Sequence, residues 1–196
     1  MNKNYKILNN FPTSLTNTVK TFYIENRETI NEDGPYAVWV PEDDNRCVFN
    51  RMHPQHPLME PIRDTLSDLP VFAASIFINP ARSGLGPFHI DPKRHAAINI
   101  AIKVDLKNSL FFMGEEETCI EMEPPESEVK GLGPGAKRYP YEPEKYAVYN
   151  LEKPIILNPQ VAHGAANWSD EERAILSVTL DCTYKEALSL LPKEWL

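Results

Sequence analysis

Four side chains in this 196-residue chain have types and spacing that could do chemistry. Residues 86–102 read GPFHIDPKRHAAINIAI, with His89 and Asp91 two apart at the mouth of an alternating run. On a strand, residues i and i+2 point the same way, so an imidazole and a carboxylate share one face. One further His would complete a two-His-one-carboxylate facial triad, the arrangement that keeps positions open on non-haem Fe(II) for a cosubstrate and O2. His163 can supply it. A His-x-Asp pair alone is a weak signal, since a surface turn gives the same pattern.

The fourth residue strengthens the reading. Arg173 stands ten residues after His163, in HGAANWSDEERAILSVTL. A ligand His on one strand, a turn, and an Arg opening the next antiparallel strand bring the guanidinium near the metal. Its planar fork suits a carboxylate. A dicarboxylate that chelates iron at one end needs such a clamp at the other. The plain rival is that DEER is an ordinary charged turn and His163 an unrelated residue before a glycine.

These residues need strands to position them, and the chain supplies strand signals from residue 71 onward. VFAASIFIN reads as a strand closed by Asn79-Pro80, and PFHID as a short one closed by Pro92. In AINIAIKV, Ile98, Ile100, Ile102 and Val104 share one face, and Ala97, Asn99, Ala101 and Lys103 the other. SLFFM, KYAVYNL and PIILN follow, and RAILSVTLD alternates cleanly. Upstream, SLTNTVKTFYIENRETI reads as a short helix and YAVWV, 36–40, as a strand stopped by Pro41. In 56–69, Leu58, Ile62, Leu66 and Leu69 recur at helical spacing, with Pro61 in the first turn. Residues 114–144 are rich in Glu, Pro and Gly, with a short strand at TCIEM and otherwise a long loop, which is usually functional or disordered. The strand count indicates a sandwich or barrel without choosing among them.

Bulk properties narrow the classes. Hydrophobic residues make up 42% of the chain, enough for a core. The net charge of −8 argues against a broad nucleic-acid or anionic-membrane surface, which relies on clustered Lys and Arg. The N-terminus lacks the apolar core of a signal peptide, and no segment approaches the roughly 20 apolar residues that span a bilayer. The expected location is cytoplasmic, with no membrane partner. Cys47, Cys119 and Cys182 are odd in number and widely spaced, and read as free thiols.

Residues 71–182 resemble the Fe(II)/2-oxoglutarate-dependent oxygenase family, through His89-x-Asp91, the distal His163 and Arg173. The tail from His163 is similar to the aspartyl/asparaginyl-hydroxylase and prolyl-hydroxylase-like branches, where an Asn and a Ser often sit between His and Arg. Asn167 and Ser169 match that habit. The resemblance implies a mainly β double-stranded β-helix, or jelly roll, with the ligands on its second and seventh core strands and the Arg on its eighth. It also implies Fe(II) as cofactor, 2-oxoglutarate as cosubstrate, and hydroxylation with release of CO2 and succinate. Many members carry Ser two residues after the Arg. Here that position is Ile175, and Ser177 lies about 6–7 Å further along the strand. Asn99, among the small residues Ala97 and Ala101, is the candidate second contact to 2-oxoglutarate.

The expectation is a single domain over 1–196, with a mixed α/β N-terminal elaboration at 1–70, a jelly-roll core at 71–182 and a tail at 183–196. His89, Asp91 and His163 would hold Fe(II), and Arg173 and Asn99 would hold 2-oxoglutarate. The substrate would be an amino acid, a peptidyl residue or a small metabolite, with O2 consumed. The alternatives are a cupin-type metalloenzyme that does not use 2-oxoglutarate, and a non-enzymatic β-sandwich binding module. Interleaved prolines make His53 and His56 a poor metal pair. Arg94 and His95 read first as a solvated turn, Trp168 as packing within reach of the site, and KGLGPGAKRYPYEPEKY as a lid or substrate-contacting loop.

Overall fold

The computed structural model of the protein describes residues 4–30, 37–39, 48–86, 88–91, 93–114, 137–139 and 146–196. The expected strand TCIEM, Cys47, Cys119 and most of the expected lid, 130–136 and 140–145, lie outside the described residues.

The strands are β1 Tyr5–Ile7, β2 Ala37–Trp39, β3 Val48–Arg51, β4 Val71–Asn79, β5 Gly84–Leu85, β6 Phe88–Ile90, β7 Ala96–Lys103, β8 Ser109–Gly114, β9 Lys137–Tyr139, β10 Tyr146–Tyr149, β11 Ile155–Leu157, β12 His163–Asn167 and β13 Arg173–Leu180. The helices are α1 Thr13–Ile30, α2 Met59–Thr65 and α3 Tyr184–Leu190. A large antiparallel sheet runs β1-β11-β7-β13-β4-β3-β2, and a smaller one β10-β8-β12-β6-β9, with β5 also on β12. Two facing antiparallel sheets of this order form a jelly roll. The N-terminal strands β1, β2 and β3 extend the large sheet.

Alternation along β7 and β13 puts two different environments on the two faces of the large sheet. Ile98, Ile100 and Ile102, with Ala174, Leu176, Val178 and Leu180, pack beneath the helices, against Leu15, Val19 and Tyr23 of α1 and Ala187 of α3. The other face looks into the space between the sheets, where Ala97, Ile155, Leu157 and Ile175 meet Phe111 and Met113 of the small sheet. Helix α2 covers only the middle of the expected 56–69 stretch. Leu58, Ile62, Leu66 and Leu69 are nonetheless all buried. Turns at either end carry the outer leucines inward, so burial outlasts the helix. The capping box of α3 closes on Thr183, whose hydroxyl accepts from Glu186 N while Glu186 reaches back to Thr183 N. Among the described residues no helix is long and apolar enough to cross a membrane.

A polar tie joins α1 to the turn before β13. Arg27 Nε donates to Glu172 Oε1 and Oε2 at 2.7 and 2.8 Å, and Tyr23 Oη donates to Oε1 at 2.7 Å. Arg27, and then Tyr23, hold the Glu172 carboxyl below its usual range against the opposing effect of burial. Stability from this tie is therefore present above the ordinary carboxylate pKa and lost as pH falls through the lowered one. Arg27→Met is expected to be less stable than wild type by about 1.5–3 kcal/mol at pH 7, the range for hydrogen bonds to a charged group. The gap should close in acid. Urea melts at a series of pH values check this, and a gap that stays constant to pH 3 would contradict it.

Candidate metal centre

His89 and His163 meet because β6 and β12 are neighbours in the small sheet and the two histidines are direct cross-strand partners. Their ring centroids are 4.5 Å apart. Asp91 extends β6 on the same face, its N–H donating to Pro159 O at 2.9 Å. Asp91 Oδ1 lies 3.6 Å from His89 Nε2, and Oδ2 lies 3.8 Å from His163 Nε2. One ligand atom from each residue falls within 4.8 Å of the others. Metal ligands on a common ion sit closer than this, so a small inward movement would complete the site. Among the described residues this is the only cluster of three metal-capable side chains.

The electrostatics favour a ligand state. Burial first, and then the neighbouring His89, push the His163 imidazole down to about 4, so it is neutral at neutral pH. Its Nδ1 lies 2.9 Å from Val161 O. Donation from Nδ1 to that carbonyl leaves Nε2 as the lone-pair nitrogen facing Asp91. Burial works to raise the Asp91 carboxyl, but Arg94, His163 and His89 outweigh it, and the group sits below its usual range. The centre therefore offers two nitrogens and an ionised carboxylate, the donor set of a non-haem iron site.

The inner face of the large sheet is layered by its register. Thr179 aligns with Ala73 and Ala97, Ser177 with Ser75 and Asn99, Ile175 with Phe77 and Ala101, and Arg173 with Asn79. Arg173 is 1% exposed, and its Nη1 donates to Asn79 Oδ1 at 2.9 Å. Asn79 is a neighbour of Arg173 that sequence reasoning missed. Its only signal was the β4 terminus, Asn79-Pro80, which reads as a strand stop. Asn99 was expected to complete the grip beside Arg173. The register instead places it opposite Ser177, two layers away and toward Asp91. Asn99 is buried, and its Oδ1 has no hydrogen-bond partner among the described residues. A buried amide oxygen left alone costs roughly 1–3 kcal/mol. Turned end for end, the same group presents Nδ2 to a bound carboxylate.

Asn167 and Ser169 build the turn that aims Arg173. Asn167 is fully buried, its Nδ2 donating to Pro80 O and Glu171 O at 2.8 and 2.9 Å, and its Oδ1 accepting from Ser109 Oγ at 2.9 Å. Ser169 Oγ accepts from Glu171 N. Gly164, beside His163, lies close under the Phe88 ring: a Cβ there would stand 3.3 Å from it, so the ring would have to shift by a few tenths of an ångström.

Several expectations are relocated. Arg94 is not a solvated turn residue: its side chain turns inward to Asp91, while His95 stays exposed. Trp168 follows β12 at the end away from His163, about 16 Å along the strand, and lines a surface recess of about 450 Å³ with Lys103 and Asp105. It does not reach the triad. His56 is buried edge-on against Phe22 and accepts from Leu58 N, a packing role.

No protein-family model and no curated protein sequence matches the chain. Solved structures do match in fold. SnoK, a non-haem alpha-ketoglutarate-dependent carbocyclase of nogalamycin biosynthesis, has 17% identity and a TM-score of 0.53 over 90% of this chain and 79% of its own. SnoN, an epimerase solved with Fe3+, alpha-ketoglutarate and nogalamycin RO, has 10% identity and a TM-score of 0.53, covering 90% and 78%. HygX from Streptomyces hygroscopicus, solved with nickel and 2-oxoglutarate bound, has 10% identity and a TM-score of 0.51, covering 89% and 81%. The jelly roll of this chain is the fold of iron- and 2-oxoglutarate-dependent enzymes, and it carries a His-Asp-His triad that could hold a metal ion.

Proposed function

We propose that the protein is an Fe(II)- and 2-oxoglutarate-dependent oxygenase that hydroxylates an amino-acid, peptidyl or small-metabolite substrate. The observation that carries this reading is the pairing of a His-Asp-His cluster, with Asp91 and His163 buried and His89 half-buried, with a buried Arg on the inner face of the opposite sheet. His89, Asp91 and His163 would hold Fe(II). Arg173, with Asn79 beside it, would take the distal carboxylate of 2-oxoglutarate. The apolar layer of Phe77, Ile175 and Ala101 next to Arg173 suits the methylene chain between two carboxylates. Asn99 would contact the cosubstrate toward the metal end. When bound, iron and 2-oxoglutarate supply the oxidising power, with O2 consumed and CO2 and succinate released. The protein's own residues bind and orient the reactants, with His163 and Arg173 buried between the sheets and His89 at the more open side. SnoN and HygX, which hold a metal together with the keto-diacid on the same fold, support this reading.

The test is an anaerobic titration with Fe(II) and then 2-oxoglutarate. A weak visible charge-transfer band is expected on adding the keto-acid, followed by succinate formation when O2 is admitted. Fe(II) uptake with no response to 2-oxoglutarate would favour a cupin-type metalloenzyme. No metal uptake would favour a binding module.

A further inference from the structure

Arg94 stands three residues after Asp91, outside the ligand set, and its guanidinium makes three side-chain hydrogen bonds. Its Nη1 donates to Asp91 Oδ2 at 2.8 Å, its Nη2 to Ser177 Oγ at 2.6 Å and its Nε to Thr179 Oγ1 at 3.1 Å. The guanidinium also lies over the Phe77 ring, 6.0 Å from its centroid. Asp91 follows a strand of the small sheet, whereas Ser177, Thr179 and Phe77 belong to the large one. The side chain therefore spans the two sheets beside the metal centre.

We propose that Arg94 is a positioning residue for the metal: it reserves Asp91 Oδ2, so that the carboxylate binds the ion through Oδ1 alone, and it anchors that restraint on the opposite sheet. The inference rests on the metal-site reading above. A carboxylate has two oxygens and can chelate through both. Arg94 occupies one with a charge-assisted bond, and the other faces His89 Nε2 at 3.6 Å. A single-point carboxylate keeps one more coordination position open for cosubstrate or O2. The main chain is fixed to match. Gln160 Nε2 donates to both Asp91 O and Arg94 O, at 2.6 and 2.7 Å. Gln160 sits between Pro159, which accepts from Asp91 N, and Val161, which orients the His163 ring. Segment 159–163 thus sets Asp91 and His163 together, and Arg94 locks the carboxylate on that frame.

The probe is Co(II), added anaerobically to the full chain and followed by its visible d–d bands and by calorimetry, with melting of the metal-free protein in parallel. Arg94→Met is expected to lower Co(II) affinity about 10- to 100-fold, the usual effect of removing the group that orients a ligand. The d–d intensity should also fall as Asp91 closes on the ion through both oxygens. Arg94→Lys should recover part of the affinity. The double variant Ser177→Ala/Thr179→Val keeps the Arg94–Asp91 bond but frees its far anchors. It should weaken binding less, and it decides the matter if Arg94→Met does not fold. Variants that bind Co(II) within twofold of wild type and with its spectrum would overturn the positioning role while leaving the metal site standing. A wild type that takes up no Co(II) would overturn both.

Discussion

His163→Ala is expected to abolish the 2-oxoglutarate-dependent visible band at every Fe(II) concentration where wild type shows it. Removing one of three protein donors takes away a third of the protein's hold on the ion before the keto-acid arrives. Losing a ligand should exceed the 10- to 100-fold typical of losing its supporting partner. The fold should survive. The ring is neutral at neutral pH, with its pKa pushed down to about 4, and Asp91 keeps Arg94 as its charged partner when the ring is removed. The deletion leaves a cavity beside Phe111, whose ring centroid is 6.2 Å away, and a loss of a few kcal/mol is the scale for such deletions. His95→Ala is the control: that side chain is exposed and should leave the band intact. A His163→Ala protein that still forms the band with wild-type affinity would remove the triad from the mechanism.

Arg173→Leu should have the second largest effect and a different signature. Fe(II) binding should be kept, because Arg173 stands two layers along β13 from Ser177, the level at which Arg94 joins Asp91 to that sheet. Affinity for 2-oxoglutarate should fall by at least 30-fold, since removing one partner of a buried hydrogen-bonded charge pair costs roughly 2–5 kcal/mol. A short 2-oxo acid without the distal carboxylate should bind wild type and variant alike. The variant therefore loses discrimination between the two acids, which a merely unstable protein would not show. Asn79→Ala should weaken 2-oxoglutarate less, because Arg173 keeps its fork. Equal 2-oxoglutarate affinity in wild type and Arg173→Leu would place the clamp elsewhere.

Much of the site was legible because β-structure has a period of two. His89 and Asp91 could be put on one face, and Ile98, Ile100 and Ile102 on another, from spacing alone. The His163-to-Arg173 interval spans one strand, one turn and the first residue of the next strand, so their relation was also local. The neighbours that spacing alone could not supply depend on pairing between distant strands. Asn79 and Arg173 are 94 positions apart, and only the β4–β13 register makes them neighbours. The β7–β13 register alone sets Asn99 beside Ser177.

By itself, then, the sequence determined the types of the candidate ligands, their shared face, the strand-rich class and the net charge of −8. Period-two alternation and charge composition are properties of neighbouring residues and of sums, and both can be read along a chain. Only the tertiary structure decided that both faces of β7 and β13 are buried, one under helices and one inside the barrel. Only it turned Arg94 inward, although its neighbour His95 in the same turn faces water. Strand register and the direction of a loop side chain are fixed by contacts between segments far apart in the chain. Apolar periodicity marks which face is buried but not what lies across from it.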